Sequence, residues 1–152
     1  MEYGSIAREI HIEASPEVVY EVISTPEHLR QWWPDDAELE PVPGATGAVT
    51  FGQEPGAKVV PLMVTEADPP RRFSFRWAHE KGESATPANS LLVTFELVPA
   101  GDGTLLRFTE TGFRERGWEA ALLEEQYREH VRGWDIFLPR LVAHAARAGV
   151  AR

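Results

Sequence analysis

Polar and apolar residues alternate along the first segment of the chain. Ile6, Ile10 and Ile12 share one face with Arg8, and Ala7, Glu9, His11 and Glu13 share the other, the period of a half-buried strand. The pattern then lengthens. In "ASPEVVYEVI", Ser15 suits an N-cap, Pro16 the first helical position, and Val18, Val19, Val22 and Ile23 form an apolar stripe. Thr25 and Pro26 stop that helix and start a second one through His28 to Trp32, which Pro34 ends. Short strands follow, separated by turn residues: "ELEPV", "AVTFG", and "AKVVPLMVTEA", where Pro61 predicts an edge or a bulge. In "RRFSFRW" the alternation is clean, with Phe73, Phe75 and Trp77 opposite Arg72, Ser74 and Arg76. The composition of "HEKGESATPAN" predicts a mobile loop. "SLLVTFELV" and "TLLRFTET" are joined by the hairpin signal "PAGDG".

From about Trp118 the period becomes helical. Leu122, Tyr127, Val131, Trp134, Leu138, Leu141 and Val142 recur on one face. They predict a helix to about Arg147, roughly 45 Å long and kinked at Pro139. One strand, two helices, about six strands and one long helix make an α+β fold rich in antiparallel hairpins. Only the long helix is large enough to cover the apolar face of such a sheet.

The chain has 152 residues and shows no repeat or linker, so one domain spanning 1–152 is expected. Its net charge of -9 argues against nucleic acid and anionic membrane surfaces as partners. No cysteine is present, which excludes disulfides, thiol catalysis and zinc-thiolate sites. The N-terminal "MEYGSIAREIHI" carries early charge and no apolar run, so a cytoplasmic protein is expected. The abundance of arginine and alanine suggests a bacterial source.

Four stretches, "EIHIEASPEVVYEVISTPEHLRQWW", "EADPPRRFSFRW", "VTFELVPAGDGTLLRFTETGF" and "HVRGWDIFLPRLVAH", together resemble the START-like (SRPBCC) superfamily. More closely they resemble the family named after the activator of a heat-shock chaperone ATPase. The resemblance implies a helix-grip fold, in which a curved antiparallel sheet of six to seven strands wraps a long C-terminal helix. It also implies a cavity between sheet and helix. Trp32 and Trp33 then fall on the short helix pair at the mouth of the sheet, one indole packing inward and the other shielding the rim.

Candidate chemistry is sparse. The five histidines have no metal-ligand spacing, and no phosphate loop, GxSxG elbow or nucleophile–base pair is present. No metal, cofactor or catalytic residue is therefore assigned. Parity places Arg8 with Ile6, Ile10 and Ile12, and Glu110 with Leu106 and Phe108. In the resembled fold the first and last strands pair, which brings Arg8 near Glu110 as a polar anchor. Tyr127 and His130 add hydrogen-bonding groups, and His130 is a candidate general base. Phe73, Phe75, Trp77 and Phe95 from the sheet, with Trp134, Phe137 and Leu138 from the helix, are the expected walls. The expected function is binding of a small apolar or aromatic molecule, as carrier or sensor. The alternatives are a cyclase- or hydrolase-like enzyme on a polyketide-like substrate using His130 or Glu110, and a chaperone-associated interaction module. A homodimer stays open.

Overall fold

In the computed structural model, which describes residues 2–151, an antiparallel sheet closes its first strand against its last. The elements are β1 (Ser5–Ile12), α1 (Pro16–Ser24), α2 (Pro26–Trp32), β2 (Asp36–Glu38), β3 (Thr46–Phe51), β4 (Lys58–Asp68), β5 (Arg72–Trp77), β6 (Leu91–Ala100), β7 (Gly103–Thr111) and α3 (Ala120–Ala151). The strand order is β1-β7-β6-β5-β4-β3-β2. Strands β2 to β7 are thus a meander, and α1 and α2 carry the chain from one edge to the other.

Local chemistry sets the early boundaries. Ser15 Oγ accepts the Val18 N–H at 3.3 Å, and Pro16 opens α1. Thr25 is extended and is followed by Pro26, which opens α2. The predicted edge or bulge at Pro61 resolves differently. Pro61 pairs with Ala48 in the sheet interior, and the register shift lies between Val64 and Glu66. Proline is tolerated because β5 ends at Trp77, opposite Leu62. Its carbonyl accepts the Ala78 N–H at 3.3 Å, one residue past the end of β5. The second strand also differs from expectation, since β2 covers 36–38 rather than "ELEPV". The 79–89 segment forms neither helix nor strand, but it is tied down. The Thr86 N–H donates to Asn89 Oδ1, Asn89 Nδ2 donates to the Ser84 carbonyl, and the Ser90 hydroxyl donates to the Thr86 carbonyl.

All three helices pack on one face of the curved sheet. Phe73, Phe95 and Phe108 are consecutive cross-strand partners and so share that face. Tyr20 of α1 meets Phe73, and Trp134 of α3 meets Phe108 with ring centroids 4.6 Å apart. The opposite face carries an ion-pair chain, Glu66–Arg72–Glu96–Arg107–Glu9, running from β4 to β1. Such half-exposed pairs contribute about 0–1 kcal/mol each; the sheet is held by its apolar face.

Helix α3 continues unbroken through Pro139, which lies on the solvent side. Its buried residues are Leu123, Trp134, Leu138, Leu141 and Ala145. Among the described residues no helix is long and apolar enough to cross a membrane.

Phe108 is fully buried between sheet and helix, against Phe95 and Trp134. Phe108→Ala is expected to cost about 3–5 kcal/mol in urea denaturation. Ile136→Ala, on the 55% exposed face of the same helix, should stay within about 0.5 kcal/mol.

Candidate functional site

Glu110 is the most unusual side chain of the interior. It is charged, fully buried, and placed on the apolar face of β7 by the register that pairs it with Ile6 and Val93. Three N–H-bearing rings surround it. The Trp77 indole of β5 donates to Oε2 at 2.7 Å, and the Trp134 indole of α3 donates to Oε1 at 2.8 Å. His130 Nδ1, one helical turn before Trp134, lies 2.8 Å from Oε1. An indole can only donate, so the carboxyl oxygens accept both bonds. The His130–Glu110 bond is made when His130 donates a proton from Nδ1 to the carboxyl. With that proton on Nδ1, the neutral imidazole leaves Nε2 as an acceptor.

Above this cluster opens a cleft of about 660 Å³ between α3 and the β3–β5 end of the sheet. Phe51, Val60, Pro61 and Trp77 line its sheet side, and His130, Gly133, Trp134 and Phe137 line its helix side. Trp33 closes the inner end. Its position follows from the end of α2, where Trp33 caps the helix with its N–H on the Leu29 carbonyl and Pro34 prevents continuation. The adjacent residues therefore diverge in role. Trp32 donates its indole N–H to the Val22 carbonyl at 3.0 Å inside the core. Trp33 packs against Trp77, Trp134 and Phe51 at centroid distances of 5.1, 5.3 and 5.9 Å. The expected internal cavity is here a cleft with an exposed rim at Lys58, Val59, Glu80, Lys81 and Glu129.

The expected site residues thus fall into three groups. Trp33, Trp77, His130, Trp134 and Phe137 line the cleft. Trp32, Phe73, Phe75, Phe95 and Leu138 are buried in the core, and Glu110 lies behind the cleft wall. Arg8 and Tyr127 lie elsewhere. Arg8 has the expected parity, but its guanidinium meets Asp135 of α3 at 3.4 Å on the half-exposed edge. The expected Arg8–Glu110 anchor is therefore replaced by an anchor of three rings. Tyr127 donates its hydroxyl to the Ser5 carbonyl and packs on Tyr3 and Phe113.

Sequence reasoning missed the outer end of the cleft, formed by His79, Arg116, Trp118 and Leu122. His79, Arg116 and Trp118 fall outside the strands and the long helix, where no period assigns a facing direction; Leu122 had been placed on the helix's apolar face but not at the site. His79 is buried, and its Nδ1 has no hydrogen-bond partner. Burial holds its pKa below the usual 6.5, with Arg116 acting in the same direction and Glu83 opposing. Arg116 lies with its guanidinium 4.6 Å from the Trp118 ring centroid and donates to the Ala78 carbonyl at 3.2 Å. Burial lowers its pKa too, against the pull of Glu80 and Glu83. Among the described residues no cluster of three or more potential metal ligands is found.

A sheet gripping a long helix, with a cleft between them, defines the helix-grip class. The family model described as "Activator of Hsp90 ATPase homolog 1-like protein" matches residues 13–146, and the chain belongs to that family. Solved structures agree in fold. Protein MLL2253 from Mesorhizobium loti is 20% identical with a TM-score of 0.75, over 94% of this chain and 97% of that one. The Aha1 dimer from Colwellia psychrerythraea is 24% identical with a TM-score of 0.66, over 91% and 92%. DynU16, from the dynemicin biosynthetic locus, is 19% identical with a TM-score of 0.71; the match covers 98% of this chain and 49% of DynU16. No curated protein matches the chain.

Two outcomes are expected of the titratable groups. Glu110→Gln replaces one acceptor oxygen with a donor and strands one ring N–H. It should cost about 1–3 kcal/mol in urea denaturation, and Arg8→Met should add to it independently, within about 0.5 kcal/mol. The second concerns pH. His79 and His144 both have pKa values held below 6.5, chiefly by burial, with His28 also lowering that of His144. The unfolded chain therefore takes up protons more readily than the folded one. Stability should be full above about pH 6.5 and fall as pH drops below it. Thermal unfolding of His79→Gln and His144→Gln between about pH 7.5 and 5.5 should show a shallower decline than the parent.

Proposed function

We propose that the cleft binds a small apolar or aromatic molecule and that the protein acts as a carrier or sensor. The observation that supports this reading most directly is the set of indoles, Trp33, Trp77 and Trp134, facing a cleft of about 660 Å³. Ligand sites typically have volumes of about 300–1,000 Å³, mostly apolar walls and a few fixed polar groups. Here the carboxyl of Glu110 fixes Trp77, Trp134 and His130 together, so the walls are held in place before any ligand enters. Pre-ordered walls reduce the entropy lost on binding. Gly133 fits the same reading. Glycine inside a helix costs about 1 kcal/mol relative to alanine, yet a Cβ there would meet nothing within 4 Å. The missing side chain leaves room in the cleft.

One observation favours an enzymatic second reading. His130 is backed by a buried carboxylate and lines the cleft, an arrangement that suits a general base with Nε2 toward a substrate. The interaction-module reading gains no comparable support. The exposed large apolar residues Val42, Val59, Ile136 and Val150 come from three segments, the β2–β3 connection, β4 and α3, the last two of them 14 residues apart along the helix.

The binding reading is tested with the neutral probe N-phenyl-1-naphthylamine. Saturable probe emission with matched quenching of tryptophan fluorescence is expected. Gly133→Leu should weaken binding about tenfold or more while leaving the melting temperature equal or higher, because leucine fills the cleft and improves helix propensity. The absence of saturable binding would overturn the reading. The enzymatic reading requires that the protein hydrolyse aryl esters such as 4-nitrophenyl acetate and that His130→Gln abolish this turnover while still binding the probe.

A further inference from the structure

The outer end of the cleft differs in chemistry from its aromatic wall. One buried polar atom there lacks a partner, and a part-buried cation beside it is only partly engaged. His79 is only 8% exposed, and its Nδ1 makes no hydrogen bond. Buried polar atoms are nearly always satisfied, so an orphan that lines a cleft needs an explanation. Its neighbour Arg116 is part-buried and has no ion pair among the described residues. Its one hydrogen bond uses Nη1 on the Ala78 carbonyl, and its face rests on Trp118. The guanidinium plane is thereby fixed while most of its five N–H donors stay unspent. Glu80 and Glu83 act on it electrostatically without forming an ion pair.

The surrounding charge points the same way. The chain carries a net charge of -9 and only two lysines, Lys58 and Lys81. Both line this cleft, as Arg116 does. A cation fixed by stacking, a neutral imidazole with an unmet nitrogen and two flexible ammonium groups make a receptor for one negative charge. Glu80 and Glu129 on the rim, and Glu110 behind the wall, disfavour a dianion such as a phosphate monoester. The planar fork of arginine matches a carboxylate by two parallel N–H···O bonds.

From this we infer that the ligand is a small aromatic carboxylate. Its ring lies among Trp33, Trp77 and Trp134, and its carboxylate is received by Arg116 and His79 at the outer end. The inference rests on the cleft being the binding site and adds the charge class of what it holds.

Calorimetric titration with 2-naphthoate and its neutral isostere 2-naphthamide separates the two levels. At near-physiological salt, 2-naphthoate should bind about tenfold or more tightly than the amide, the usual advantage of a charge-assisted pair. Arg116→Met should abolish the preference by weakening the acid alone, and Arg116→Lys should keep part of it. Equal binding of acid and amide, or a preference that survives in Arg116→Met, overturns the carboxylate inference and leaves the cleft reading intact. The same holds if neither naphthyl compound binds while N-phenyl-1-naphthylamine does. Failure of all three probes overturns both readings. If Arg116→Met melts below the assay temperature, the comparison of acid with amide on the parent protein decides alone.

Discussion

A carboxyl group in the apolar interior has to be compensated on the spot. Taking such an ion out of water costs several kcal/mol after relaxation, and Glu110 has no arginine or lysine beside it among the described residues. Its compensation comes from hydrogen bonds with the ring nitrogens of Trp77, Trp134 and His130. These belong to β5 and α3, while Glu110 belongs to β7. The cluster therefore fixes how the helix sits across the sheet, in rotation as well as in distance. Turning α3 by one residue would remove both His130 and Trp134 from hydrogen-bonding reach. Apolar packing alone, being non-directional, would not impose that phase.

The same cluster explains why the helix and sheet part where they do. Trp134 sits deep, with Phe108 beneath it and Trp33 beside it. Toward the helix N-terminus, His130 is drawn to Glu110, while Gly133 presents no side chain to the opposing strands. The sheet meanwhile loses a layer, because β5 stops at Trp77 and the chain turns away through Ala78, a non-glycine residue with φ of 69°. The gap between a fixed helix and a shortened strand is the cleft. Its aromatic walls are thus the exposed side of the rings that satisfy the buried charge, so fold specificity and site shape share the same atoms.

Much of this was readable from period and parity. The twofold alternation in β5 placed Phe73, Phe75 and Trp77 on one face, and the 3.6-residue period of α3 placed Trp134 and Leu138 inward. Parity also put Glu110 on the inner face of β7, where it lies. Parity says which face a residue occupies, but not what stands opposite. Arg8 shared that face and was assigned to Glu110, yet Asp135 on the helix meets it first, near the edge of the sheet. The helix contribution was invisible because it depends on the rotation of α3, which Glu110 itself sets. His79, Arg116 and Trp118 were missed for a different reason. They lie outside the strands, at or between turns, where only backbone geometry decides direction.

The two ends of the cleft follow opposite rules for polar burial. At the inner end the ring nitrogens of Trp77, Trp134 and His130 all meet the Glu110 carboxyl, which makes that cluster a structural device whatever else it does. At the outer end His79 Nδ1 is withdrawn from water with no hydrogen bond in return, and the part-buried Arg116 makes one. Leaving a buried polar atom unsatisfied costs about 1–3 kcal/mol, a sizeable fraction of the stability of a domain this size. Stability alone would favour an apolar residue at position 79. A chain that keeps His79 beside a part-engaged Arg116 carries a local energetic deficit that a ligand of complementary charge would relieve. That asymmetry, rather than cleft volume or fold membership, is the strongest physical ground for placing recognition at the outer end and orientation at the inner one.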